Sequence, residues 1–202
     1  MKIVIFLLVF TVVAFTPSVW AVGGPIIAFN FDSAKNGVVE DVTGGGHNGV
    51  LKEGATIVTT KKFGAGALKI DGGNQTMEVA TFAKLETYTD NTYAFWINFT
   101  APASGGWDQI LVHPAAPDSD RSPGLWVTPE GLSIHYRYNP GNLGFWGITQ
   151  TGDQDAKFFE QNVWYHIVGV TSKALLTGFV NGKKVAEKAV PEKFAQGARE
   201  GM

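Results

Sequence analysis

Trp164-Tyr165-His166-Ile167-Val168-Gly169-Val170, the polar break Thr171-Ser172-Lys173, and Leu175-Leu176-Thr177-Gly178-Phe179-Val180 run directly into Asn181-Gly182. Both apolar runs are short and built from β-branched and aromatic residues, which marks them as strands that pair with each other. Asn-Gly is the dipeptide that most readily supplies the two positive φ angles of a type I′ turn, so Lys183 to Ala189 is expected to return as a partner strand. This hairpin commits the C-terminal third to antiparallel sheet.

Working outward, Tyr93-Ala94-Phe95-Trp96-Ile97-Asn98-Phe99 alternates. Tyr93, Phe95, Ile97 and Phe99 share one face, the core face, with Ala94, Trp96 and Asn98 on the other. Shorter strands are expected at 26–31, 38–42, 49–51, 56–59, 67–70, 77–79, 109–113, 125–127 and 132–138. The 25 glycines and the recurring Asn, Asp and Pro punctuate these runs, and no helical period, internal repeat or dividing linker competes with them. The fold class is therefore all-β, a sandwich or barrel in one domain.

Met1-Lys2, the apolar run Ile3 to Phe15, and Val19-Trp20-Ala21 have the layout of a secretory signal peptide. Residues 1–21 are expected to be removed and 22–202 to fold. No later stretch approaches the ~18 apolar residues of a membrane-spanning helix, so the mature chain is expected outside the membrane, secreted or in the periplasm and cell envelope. Loss of Lys2 takes the formal charge from −2 to −3, and no basic run stands out, which argues against a nucleic-acid partner. With no cysteine, disulfides and Cys-ligated metals are excluded, and the fold must stand on packing. An exported chain without disulfides suggests a bacterial source.

Five motifs follow in order: Phe29-x-Phe31-Asp32, Glu40-Asp41-x-Thr43-Gly44-x-Gly46-His47-Asn48-Gly49, Phe63-Gly64-x-Gly66-Ala67-Leu68-x-Ile70-Asp71-Gly72, Trp164-Tyr165-His166 and Phe179-Val180-Asn181-Gly182. In order and spacing they resemble the laminin G-like, concanavalin A-like domains. The resemblance implies a jelly-roll β-sandwich of two antiparallel sheets. Such domains usually continue past the last hairpin with an apolar-Asp-Glu-apolar strand that closes the sheet beside the first strand. Residues 191–202, with Pro191, Gly197 and Gly201, do not supply it. The resemblance thus implies a missing last strand and an open edge beside 26–31, to be filled by a continuation of the chain or by a partner's strand. In relatives, acids after the first strand and near the Gly-rich loop sometimes hold a structural calcium, which makes Asp32 and Asp41 candidate ligands. No other cofactor is expected.

Catalytic signatures are absent from the sequence. Glu40 and Asp41 are adjacent, so on an extended chain they point to opposite sides and cannot straddle a glycosidic bond. There is no Glu-x-Asp-x-x-Glu strand, Gln109 and His113 are four apart where a lyase pair would be two apart, and neither Gly-x-Ser-x-Gly nor a Walker loop occurs. The four histidines lack metal-ligand spacing, and His166, within the most apolar strand, reads as a core-edge residue. Along 132–139, His135, Arg137 and Asn139 alternate onto one face, while Trp107 and Trp146 lie in Gly-rich segments. An aromatic face ringed by donors and acceptors suits sugar recognition, so these five residues form the expected ligand site. The expected function is a secreted, non-catalytic recognition module for a glycan or an envelope or matrix protein. The alternatives are a hydrolase or lyase with unrecognised catalytic residues and an assembly domain using its open edge.

Overall fold

The computed structural model describes residues 24–80, 91–101, 107–112, 124–127, 134–137, 159–172 and 175–189. The expected signal peptide, residues 1–21, lies outside these. Among the described residues all regular structure is β: β1 (Val38–Val39), β2 (Gly49–Lys52), β3 (Thr56–Val58), β4 (Ala67–Lys69), β5 (Thr76–Val79), β6 (Asn91–Asn98), β7 (Asp108–Val112), β8 (Gly124–Val127), β9 (Ile134–Arg137), β10 (Trp164–Ser172), β11 (Leu175–Val180) and β12 (Lys183–Ala189). They form four antiparallel sheets, ordered β1-β2-β5, β3-β4, β7-β8-β9 and β12-β11-β10-β6.

The four-stranded sheet is built on the expected hairpin. Asn181 and Gly182 take φ of 50° and 78°, the type I′ combination, and Val180 pairs with Lys183. Gly178 lies opposite Ala186 and Phe179 opposite Lys184, so Val185 is an inserted bulge residue, and it packs against the core. On the other side of β11, β10 pairs along its length with β6, Ile167 facing Phe95 and Tyr165 facing Ile97.

Period-2 alternation then decides what is buried. Phe99, Ile167, Leu176 and Val180 join Leu125 and Val127 of β8 and Phe159 in one buried cluster, with Tyr93, Phe95, Ile97, Tyr165 and Ile110 of β7 packed against it. The core therefore lies between the four-stranded sheet and the β7-β8-β9 sheet, which makes the molecule a sandwich. Its aromatic centre is tight, with Phe159 5.3 Å from Phe99 and 4.8 Å, edge-on, from Tyr165.

The N-terminal third departs from the sequence reading. Residues 26–31 form no strand. Ala28 alone is tied in, donating its N–H to Asp41 Oδ1 at 3.1 Å and accepting Val42 N–H at 2.9 Å, and the chain then leaves extended geometry at Phe31, φ 56°. The strand expected at 38–42 stops at Val39 because Asp41 turns inward to organise the following loop. A tight turn at Asn36-Gly37, φ 53° and 76°, precedes β1, closed by reciprocal bonds of 2.9 and 3.0 Å between Lys35 and Val38.

Two of the ordered motifs meet in space. Ala65 N–H donates to Asp32 Oδ1 at 2.5 Å. A Cβ at Gly66 would stand 2.6 Å from the Phe31 carbonyl and 2.7 Å from Ile57 Cγ2, and one at Gly64, φ 66°, would overlap Asp32 Oδ1. The Phe-Asp pair and the Gly-x-Gly pair are thus two halves of one contact, where glycine is required by close approach.

Candidate ligand-binding surface

The residues alternating away from the core define the outer face of the four-stranded sheet. These are Thr92, Ala94, Trp96 and Asn98 on β6, Trp164, His166, Val168 and Val170 on β10, and Thr177 and Phe179 on β11, with Lys184 and Glu187 on β12. Trp96 lies directly across from His166, and the two rings stack at 5.0 Å and 28°. Phe63, from the loop between β3 and β4, meets Trp96 edge-on at 5.3 Å. Lys62 places its ammonium 5.0 Å from the Trp96 ring and 5.8 Å from that of Phe63, within cation–π range.

This cluster remains accessible, with Phe63 64 % and Trp96 38 % exposed. Its loop is held from below by the Asp32–Ala65 bond and by Lys61, whose ammonium donates to the Ala65 carbonyl at 3.2 Å. Apolar rings exposed on an anchored loop and a rigid strand are prepared to cover the apolar face of a ligand without reorganising. The sequence reading had put Trp96 on this face but gave it no partner, and it assigned His166 to the edge of the core. The structure corrects the latter: Tyr165 and Ile167 take the core positions, and parity sends His166 outward. Phe63 is legible in the sequence only as part of a Gly-rich motif and Lys62 not at all, because their approach to Trp96 is a tertiary contact.

The expected ligand residues distribute differently. His135 pairs opposite Trp126, and Arg137 opposite Gly124. Trp107, 44 % exposed, precedes Asp108, which pairs with Val127, and Val127 in turn pairs with Ile134. Trp107 and Arg137 therefore stand at opposite ends of the β7-β8-β9 ladder, on the order of 10 Å apart along the strands, with His135 between them. Trp126, on the same register row as His135, is buried at 4 % exposure. Asn139 and Trp146 lie outside the described residues.

Asp41 is the organiser of the β1–β2 loop. Buried at 2 % exposure, its carboxylate accepts Ala28 N–H (3.1 Å), Thr43 N–H (3.1 Å), His47 N–H (3.2 Å) and both contacts of the Thr43 hydroxyl (2.8 and 2.9 Å). Burial pushes the acid up, but the Thr43 hydroxyl and then the three backbone donors outweigh it and hold its pKa at about 2. Asp32 is filled likewise, by Ala65 N–H on Oδ1 and the Asn30 amide at 2.8 Å on Oδ2. A calcium at either acid would have to displace these donors. Among the described residues no three His, Asp or Glu side chains gather as a metal site.

The chain has a counterpart among known families. The description "Concanavalin A-like lectin/glucanases superfamily" matches residues 71–200 of the 202. The chain belongs to this superfamily. No curated protein and no solved structure matches it. The concanavalin A-like match begins after the Phe31-Asp32 and Gly64-Gly66 motifs, and the contact between those motifs shows how the preceding segment docks beside β3 and β4. The superfamily description covers both binding proteins and enzymes, so side chains must separate the two. Among the described residues the outer sheet face carries a single carboxylate, Glu187, which is paired with Lys184 at 3.1 Å. No helix among the described residues is long and apolar enough to cross a membrane.

Proposed function

We propose that this chain is an exported, non-catalytic recognition module that binds carbohydrate through the outer face of its four-stranded sheet. The carrying observation is the accessible Phe63–Trp96–His166 cluster. Sugar rings present C–H faces that pack on exposed aromatic planes, while their hydroxyls bond to nearby polar groups. The half-exposed Trp96 and the more open Phe63 offer such planes, and Lys62, whose ammonium lies over both rings, supplies a donor. Glycoside hydrolysis of the usual kind needs two carboxyl groups flanking the scissile bond; a face whose one described carboxylate sits at the far strand, already paired, supports binding over cleavage. The apolar run at the N-terminus supports export.

A glycan array probed with the mature chain tests this, run beside assays for reducing ends and unsaturated products. Saturable binding with no product is expected, and Trp96→Ala and Phe63→Ala should each lose it. Product release by the wild-type chain would overturn the reading.

A further inference from the structure

Among the described residues, one sheet edge is built differently from the rest. The edge strands of the smaller sheets, β1, β3, β4, β5, β7 and β9, are two to five residues long. On the four-stranded sheet one edge is β12, which is defended in the usual ways: Lys183, Lys184 and Lys188 stud it, and the bulge at Val185 breaks its regularity. The other edge is β6. Its eight residues, Asn-Thr-Tyr-Ala-Phe-Trp-Ile-Asn, carry no charge and no proline, and its register with β10 runs unbroken from Asn91 to Asn98. No described strand pairs with its outer side. A long, regular, uncharged edge is a template for another strand.

Two further observations mark this edge as unfinished. The core-side residues of β6, Tyr93, Phe95 and Ile97, are only half-buried, whereas Ile167 on β10 and Leu176 and Val180 on β11 are sealed at 0, 3 and 6 % exposure. Asn98 Oδ1, on the outer face, is buried with no hydrogen-bond partner among the described residues. An acceptor left in that state costs about 1–3 kcal/mol, so a donor brought to it is stabilising.

We infer that β6 pairs antiparallel with β6 of a second copy of this chain, about a two-fold axis at Phe95, so that two four-stranded sheets become one. The occupant follows from the strand's own sequence, which is complementary to itself about that residue. On the core side Phe95 meets the partner's Phe95, and Tyr93 meets the partner's Ile97. On the outer face the small Ala94 lies opposite the partner's Trp96, and the exposed Thr92 brings its hydroxyl across from the partner's Asn98, the acceptor that lacks a donor. No charge meets a like charge. An axis at Ala94 would instead set Ala94 against itself and Trp96 against the partner's Thr92, and would leave Asn98 facing a position beyond the end of the strand. With the axis at Phe95 the two Trp96 side chains become diagonal neighbours, about 7–8 Å apart. On the carbohydrate reading above, on which this consequence alone rests, the pairing joins the two aromatic clusters into one strip.

Sedimentation velocity of the mature chain over a concentration series tests the pairing. The inference expects a reversible dimer, lost in Ala94→Lys and in Thr92→Lys, each of which sets a lysine on an exposed position of the edge, and retained in Lys183→Ala on the opposite edge. Unchanged Tm in either lysine variant shows that the monomer still folds. Because the chain has no cysteine, introduced thiols report the register: oxidised Thr92→Cys/Asn98→Cys should run as a covalent dimer and Ala94→Cys alone should not, since diagonal neighbours exceed disulfide reach. With the longest glycan the array retains, wild type should bind at least tenfold more tightly than the lysine variants. A wild-type monomer throughout the series, a dimer that survives both lysine variants, or covalent capture by Ala94→Cys alone would overturn the inference. A monomer that still binds glycan would leave the carbohydrate reading standing, whereas a dimer of the expected register that binds no glycan would uphold the pairing and sink that reading.

Discussion

Asp41 shows how much of a fold can hang on one carboxylate. With both oxygens occupied by N–H and O–H donors its pKa is held at about 2, against an ordinary 3.8. A depressed folded-state pKa contributes stability that is fully present above about 3.8 and is lost as pH falls toward 2. Asp41→Asn should therefore lower Tm at neutral pH, and the gap between variant and wild type should shrink between pH 4 and 2; a gap that stays constant through that window would contradict the assignment. Gly66 is the second residue on which local structure turns. A Cβ 2.6 Å from a backbone oxygen cannot be relieved by a side-chain rotation, so Gly66→Ala should cost about 1–3 kcal/mol, the range for overpacking, as read by urea denaturation. The sequence marked both residues within ordered motifs, yet it could not say that Phe31-Asp32 and Gly64-Gly66 touch, because that is a contact between segments 33 residues apart.

At the scale of elements, hairpins were the most legible feature and segment ends the least. Asn181-Gly182 forms the turn its chemistry specifies, with φ of 50° and 78°. Gly182→Val should cost about 1–2 kcal/mol, since a residue with Cβ resists the left-handed region, whereas Asn181→Gly keeps the turn's backbone and loses the bond of His166 N–H to Asn181 Oδ1 at 2.9 Å, about 0.5–1.5 kcal/mol; no loss from Gly182→Val would contradict the backbone assignment. The same dipeptide at Asn36-Gly37 makes a second turn of this kind, by the same backbone chemistry. Residues 26–31 look like a strand by composition, but composition does not supply a ladder partner, and only Ala28 finds one. Strand β6 shows the limit from the other side: alternation correctly separated Phe95 from Trp96, while the covering of Trp96 by Lys62 and Phe63 depended on a loop from another ladder. The expected ligand positions on β9 are separated by the ladder register, which spaces Trp107 and Arg137 apart.

For the whole molecule, one core joins the two sheets, and its centre is Leu125 and Ile167, both at 0 % exposure. Either residue changed to Ala should cost about 2–5 kcal/mol, and both sheets should melt together; separate transitions would contradict a shared core. This stability serves the surface: a rigid sandwich without disulfides holds Trp96 and His166 in stacked register so that a ligand need not order them. The most direct test is isothermal titration of the best glycan from the array with wild type and Trp96→Ala. The account predicts at least a tenfold weaker Kd for the variant, about 1.4 kcal/mol, with Tm changed little because Trp96 lies outside the core. Equal affinity for both chains would contradict it.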